Sequence, residues 1–122
     1  MPEPFYKITH STKTEEGIEV DVFLDSEHPL FAGHFPGMPI LPGACMVQLT
    51  HHLVNKYLVG NTTFVKAAQI KFLMPVNPLV QPNLKSTLKI KTLSEGLYKV
   101  ENQLSDKDLI FFKFSATYSY NA

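Results

Sequence analysis

Three closely spaced prolines, followed by a long apolar stretch, constrain this chain more than any other feature. Pro36, Pro39 and Pro42 each lack an N–H donor and favour extended geometry in the residue before them. No regular helix or ladder of strands can therefore start before Pro42. No helix breaker occurs in Ala44–Leu58, and Gly60 stands where a C-cap glycine is common. We therefore predict a stiff, irregular loop that leads into a helix of about four turns.

This predicted helix is apolar on nearly every side, which is typical of a buried helix. In a small chain a buried helix must be wrapped by something, and the rest of the sequence offers strands. We predict an α+β fold in which an antiparallel sheet of about five to six strands wraps around one long buried helix, within a single domain over residues 1–122. The alternation of apolar and polar residues, together with the turn signals, places the strands at Phe5–Lys13, Gly17–Leu24, Thr62–Val76, Asn83–Leu93, Leu97–Leu104 and Leu109–Tyr120.

His34 lies a short loop before the predicted helix. Gly43 and Ala44 would carry the unpaired amides of its N-terminus, where partial positive charge collects. A histidine that exchanges protons near neutral pH, beside donors for an oxyanion, suits removal of a proton next to a thioester. A histidine in a loop of prolines and glycines also fits a purely structural role, and the residues alone leave both interpretations open.

The loop–helix junction resembles a family signature. Gly33–Gly37 reads GHFPG, and it is followed by Pro39 and by Pro42-Gly43. This pattern is similar to that of the hot-dog-fold (3R)-hydroxyacyl-[acyl-carrier-protein] dehydratases of fatty-acid synthesis (FabZ/FabA-like). Pro29–Ala32 before it and Lys71–Val76 after it fit the same family. The resemblance covers most of the chain and implies a hot-dog fold.

The resemblance also implies roles for individual residues. His34 would abstract the α-proton of the substrate, and the Gly43 amide would polarise the thioester carbonyl. Ile40 would contribute backbone contacts on the histidine side. Phe35 and Ala44 would belong to the substrate-binding surface. Family sites are built across a subunit interface, so we expect at least a homodimer.

Gln48 is the main departure from the family pattern. The family carries a Glu or Asp on the helix, five residues after the glycine that corresponds to Gly43. A primary amide does not exchange protons usefully at neutral pH, although it can hydrogen-bond a hydroxyl or a water. His51 and His52 share a helix face with Gln48. Either His52 hydrogen-bonds Gln48 and orients its amide, or both histidines are merely solvated.

The predicted function is that of a 3-hydroxyacyl-thioester dehydratase, which eliminates water to give a trans-2-enoyl thioester. The acyl group would arrive on an acyl carrier protein or on coenzyme A. One alternative is an acyl thioesterase of the hot-dog fold. Another is a non-catalytic acyl-binding chain, or a partner subunit that forms a heterodimer with a Glu-bearing homologue.

Composition narrows the remaining choices. The net charge is zero, and all eleven basic residues are lysines, which argues against a nucleic-acid partner. A single cysteine, Cys45, fits a reducing compartment. The polar first ten residues and the absence of an apolar run of about 20 residues indicate a cytoplasmic chain without membrane contact. No metal cluster or dinucleotide motif is recognisable, so we expect no metal and no cofactor.

Overall fold

A computed structural model of the chain describes residues 4–32 and 39–121. These residues form an antiparallel sheet of six strands, one helix, and a short 3₁₀ turn at Pro29–Phe31. The order of strands in the sheet is β1-β2-β4-β5-β6-β3. The bounds are β1 Tyr6–Lys13, β2 Gly17–Leu24, α1 Gly43–Leu53, β3 Thr62–Phe72, β4 Asn83–Ser94, β5 Leu97–Asp106 and β6 Leu109–Tyr120.

The predicted sheet of five to six antiparallel strands around one helix is confirmed, and two strand ends differ from the prediction by two residues or more. β3 ends at Phe72 rather than at Val76, because the amides of Leu73 and Met74 both turn to the carbonyl of Phe111. β5 continues to Asp106, since its last residue still pairs with β6 before a tight turn. Lys107 makes that turn possible with a φ of 53°.

The helix begins one residue earlier than predicted. Pro42 is the N-cap, with an extended ψ of 144°, and Gly43 is the first helical residue. After Leu53 the helix continues as one wider, π-type turn over Val54–Leu58. The predicted C-cap at Gly60 is wrong: Asn61 adopts the left-handed conformation, with a φ of 59°, while its side-chain amide donates to the carbonyl of Asn121. Among the described residues, no helix is long and apolar enough to cross a membrane.

One face of α1 packs on the sheet and the opposite stripe faces outward. Met46, Leu49 and Leu53 are buried, whereas Ala44 and Gln48 are exposed. The sheet thus covers one side of the helix and leaves the opposite side exposed among the described residues. It packs against side chains that alternate along the four central strands, and these are Val20, Val22, Leu84, Leu88, Val100, Leu104, Phe112 and Phe114. Burying each of them contributes about 1.5–3 kcal/mol.

A buried polar network fixes the helix over β4 and β5. The Ser86 hydroxyl donates to Asn102 Oδ1 at 2.6 Å, and Asn102 Nδ2 donates to the Thr50 hydroxyl at 2.8 Å. Thr50 in turn donates to the Met46 carbonyl at 2.9 Å. Each polar side-chain atom of this network has a partner. These hydrogen bonds therefore fix the position of the helix relative to β4 and β5 within a core that is otherwise apolar.

The edge strand β3 extends beyond the cover of the helix. It pairs only with β6, and nearly all of its residues are exposed. Phe64, Ile70 and Phe72 oppose the buried residues of β6 and therefore face the helix side of the sheet, yet they are 39%, 42% and 55% exposed. Lys66 and Lys71 lie on the outer face. β3 thus has an apolar inner face that the described residues cover only in part.

Candidate functional site

The N-terminus of α1 carries backbone amides that the described residues leave unpaired. The amides of Cys45 and Met46 both donate to the Pro42 carbonyl, and no described side chain caps the helix. The amides of Gly43 and Ala44 have no hydrogen-bond partner among the described residues. The Leu41 amide donates a hydrogen bond of 2.8 Å to the Val76 carbonyl, which fixes the segment just before the helix. Two fixed donors therefore lie at the positive end of the helix dipole, where a developing oxyanion would be stabilised.

A predominantly apolar groove of about 410 Å³ opens beside these amides. It lies between the start of α1 and the segment that follows β3. None of the described residues that line it carries a charged side chain, so this lining suits a hydrocarbon chain better than a charged ligand. Its walls include Ile40, Gly43, Met46, Phe72, Met74 and Pro75.

Phe72 comes very close to Gly43. A methyl group on the Gly43 Cα would lie 2.7 Å from two carbons of the Phe72 ring. A glycine is needed here because of this close approach. The Phe72 ring also stacks on Phe112 at 5.4 Å between centroids, and Phe112 stacks on Phe114 at 5.8 Å. An aromatic row thus leads from the core to the helix N-terminus.

Gln48 lies on the exposed stripe of α1, and the hydrogen bonds between described residues include none from its side chain. His52 Nδ1 lies 3.2 Å from the hydroxyl of Tyr6, on the β1 side of the helix. His51 Nδ1 lies 2.5 Å from the hydroxyl of Tyr118, on the β6 side. Each half-buried histidine therefore lies within hydrogen-bond distance of a tyrosine of the sheet. Gln48 lies between the two histidines and has no such bond to a described residue.

Burial governs the titration of these groups. It lowers the pKa of His51, with the neighbouring His52 as a smaller cause, and it raises the pKa of Tyr118 well above its usual range. The His51–Tyr118 hydrogen bond therefore joins two uncharged groups at neutral pH. Burial also raises the pKa of the Cys45 thiol, which disfavours its nucleophilic form.

The structure describes five of the seven predicted site residues. His34 and Phe35 lie outside the described residues, together with the rest of 33–38. Ile40 and Gly43 line the groove, and Ala44 lies at the open helix end.

Sequence reasoning missed two features of this region. It assigned Phe72 no role, although the resemblance at Lys71–Val76 marked the segment to which Phe72 belongs. It also gave His28 no structural role. The His28 ring nitrogen Nδ1 accepts from the Leu30 amide at 3.1 Å and so caps the 3₁₀ turn.

Solved structures with the same architecture define the class of protein. The dehydratase heterocomplex ApeI:P from Xenorhabdus doucetiae matches with a TM-score of 0.70 and 22% identity, over 97% of this chain and 99% of that chain. The (R)-hydratase from A. caviae involved in PHA biosynthesis matches with a TM-score of 0.62 and 14% identity, over 88% and 98% of the two chains. A hypothetical thioesterase with coenzyme A from Streptococcus pneumoniae TIGR4 gives 0.67 and 9%, over 96% and 86%. At these identities the likeness shows the hot-dog fold.

The sequence itself identifies the family. A model of the ApeI-like family, described as ApeI dehydratase, matches residues 10–109. The chain therefore belongs to the ApeI-like dehydratase family. This confirms the predicted membership of a hot-dog dehydratase family, while the narrower FabZ/FabA-like specificity stays a prediction. No curated protein sequence matches the chain.

Proposed function

We propose that this chain is a hydro-lyase that eliminates water from a 3-hydroxyacyl thioester to give a trans-2-enoyl thioester, in fatty-acid or related acyl-chain synthesis. The observation that carries the proposal is the pair of uncapped amides, Gly43 and Ala44, at the end of an apolar groove. A thioester carbonyl beside the amides would place its acyl chain in the groove. Membership of a dehydratase family supports the type of reaction.

In the proposed mechanism His34 takes the α-proton of the substrate. The Gly43 amide donates to the carbonyl oxygen as negative charge develops on it. The bond from the β-carbon to the hydroxyl oxygen then breaks, the C=C bond forms, and the imidazolium of His34 returns its proton so that the hydroxyl leaves as water. Gln48 hydrogen-bonds the departing hydroxyl and holds it in line. Thus a single titratable residue serves as base and then as acid.

We further propose that two chains build each site. Gln48 points outward from α1, and the described residues cover the apolar inner face of β3 only in part. A second copy that packs there would bury the rest of this face and contact Gln48. A heterodimer with a Glu-bearing homologue remains an alternative, and the ApeI:P heterocomplex is an example of a dehydratase with two kinds of chain.

The test is an assay of the purified chain with a 3-hydroxyacyl thioester on an acyl carrier protein and, separately, on coenzyme A. Formation of the enoyl thioester that His34→Ala abolishes supports the proposal. Release of free acid and thiol would instead indicate a thioesterase. Binding of the thioester without any product, even at high enzyme concentration, would indicate the non-catalytic or partner role.

Gln48→Glu tests the position of the missing acid. A carboxyl at this place would donate a proton to the leaving hydroxyl, so the rate of dehydration should rise by about 10²–10⁴-fold. The measurement is kcat for enoyl formation. Gln69→Glu makes the same change on the exposed outer face of β3 and should leave kcat within about twofold of the original value, since surface changes are usually small in effect. An unchanged rate in Gln48→Glu would refute the assigned role.

A further inference from the structure

We propose that Phe72 determines which acyl chains the site accepts, because its ring forms a wall over the helix N-terminus. The inference rests on the proposed function and adds to it the residue that selects the acyl group. In its observed position the ring favours short chains, since it takes up space beside the Cα of Gly43, at the end of the groove nearest the helix.

The first support is the approach of the ring to Gly43. With only 2.7 Å from a hypothetical Cβ to two ring carbons, no substrate atom fits between Phe72 and the Cα of Gly43. A thioester carbonyl must reach the amide along the edge of the ring. The shape of this wall therefore governs which substituents can follow the carbonyl into the groove.

The second support is the asymmetric surroundings of the ring. One face stacks on the buried Phe112, with planes at 28°, whereas 55% of Phe72 is exposed. Phe112 is fully buried, so Phe72 has a fixed support behind it, while the described residues leave its other side uncovered. A core residue would be enclosed like Phe112, and Phe72 is not.

The third support is the composition of the groove beyond the ring. Ile40, Met46, Met74 and Pro75 contribute apolar atoms, and the two methionines can adjust to different hydrocarbon shapes. Replacing the ring by a smaller side chain would extend this apolar space directly to the amides. Longer chains should gain affinity and short chains should lose a packing partner.

The experiment compares Phe72→Leu and Phe72→Ala with the unchanged full-length protein. Binding is measured by calorimetry with two unreactive probes, the amide analogues of 3-hydroxybutyryl- and 3-hydroxydecanoyl-pantetheine. We expect the ratio of affinities, long over short, to rise about tenfold in Phe72→Ala and by less in Phe72→Leu, as expected for a change of several methylenes in an apolar pocket. Thermal unfolding of each variant checks that it is folded.

Phe64→Ala is the matched control. Phe64 lies on the same face of the same strand and is also partly exposed, but it contacts His51 instead of Gly43. It should leave the affinity ratio within about twofold of the unchanged protein. An equal shift in Phe64→Ala would show that disturbing β3 in general, and not the wall at Gly43, alters binding.

The outcomes separate this inference from the proposed function. Chain-length-dependent binding that shifts in Phe72→Ala, without any dehydration by the protein, would support the wall and refute the dehydratase. Dehydration with an unchanged affinity ratio would refute the wall alone. If the unchanged protein binds neither probe, the proposed role of Phe72 in selecting acyl chains is also refuted.

Discussion

His51 couples the helix to the last strand through one short hydrogen bond. Its ring lies among Phe64, Phe114 and Tyr118, with centroid distances of 5.3, 6.3 and 5.5 Å. Protonation would place a charge among these rings, next to His52 on the following position of the helix. Among described residues, the ion pairs all lie elsewhere, so no carboxylate offsets that charge.

This environment predicts a pH-dependent stability. Burial lowers the pKa of His51 below its value in the unfolded chain, so the unfolded chain binds the proton more readily. The stabilisation is complete above the unfolded pKa of about 6.5 and is lost as pH falls through the folded pKa. His51→Asn keeps an amide near the Tyr118 hydroxyl but removes the titration. Urea unfolding between neutral and mildly acidic pH should therefore show a shallower loss of stability in His51→Asn.

His10→Asn is the control for that measurement. His10 lies on the exposed strand β1 and bonds only the nearby Thr12 hydroxyl, at 3.0 Å, among the described residues. This variant should keep the pH slope of the unchanged protein. Equal slopes in His51→Asn and the unchanged protein would show that another group carries the pH dependence.

At the scale of elements, we expect a large loss of stability when the central residue of the buried network of Ser86, Asn102 and Thr50 is truncated. Asn102→Ala removes both central hydrogen bonds and leaves two buried hydroxyls without these partners. The free energy of unfolding should fall by about 2–4 kcal/mol in urea titrations. Gln103→Ala, at the next and only half-buried position, should change it by less than about 0.5 kcal/mol. Similar values for the two variants would contradict the role of the network.

Most elements were predictable because their signals are local. The alternation of Val20 and Val22 with polar neighbours predicts a strand with one buried face, and the prolines up to Pro42 predict where the helix can begin. The end of the helix was harder, since Asn61 adopts the left-handed conformation instead of Gly60 while its amide is bonded to the distant Asn121. Contacts that form only in the folded chain leave no local pattern.

The same distinction applies to the site. Gly43 was recognised from its place after Pro42, but the reason for a glycine there is the ring of Phe72, which is far away in sequence. His52 lies beside the hydroxyl of Tyr6, 46 residues away in sequence, whereas the pattern on the helix suggested a hydrogen bond to Gln48 or mere solvation. Neighbours along one helix face could thus be predicted from the sequence, whereas pairing across the fold required the structure.

For the whole molecule, the apolar inner face of β3 predicts assembly through this strand. Ile70→Lys would place an ammonium on the face that a second copy should cover, where an unpaired charge is costly. By light scattering we expect the unchanged chain to be dimeric and the variant to be monomeric at the same concentration. Gln69→Lys adds the same charge on the opposite face of the strand and should remain dimeric. If both Ile70→Lys and Gln69→Lys are dimeric, the dimer contact does not involve the inner face of β3.

The uncovered edge of β3 also matters before assembly. Before a partner covers this edge, a newly made chain exposes unpaired backbone N–H and C=O groups of β3 beside Phe64 and Ile70. Such an edge is a template for non-native aggregation. Lys66 and Lys71 interrupt the strand with charge and act as gatekeepers against such stacking. Slow synthesis at low temperature should therefore yield more soluble protein than rapid overproduction does.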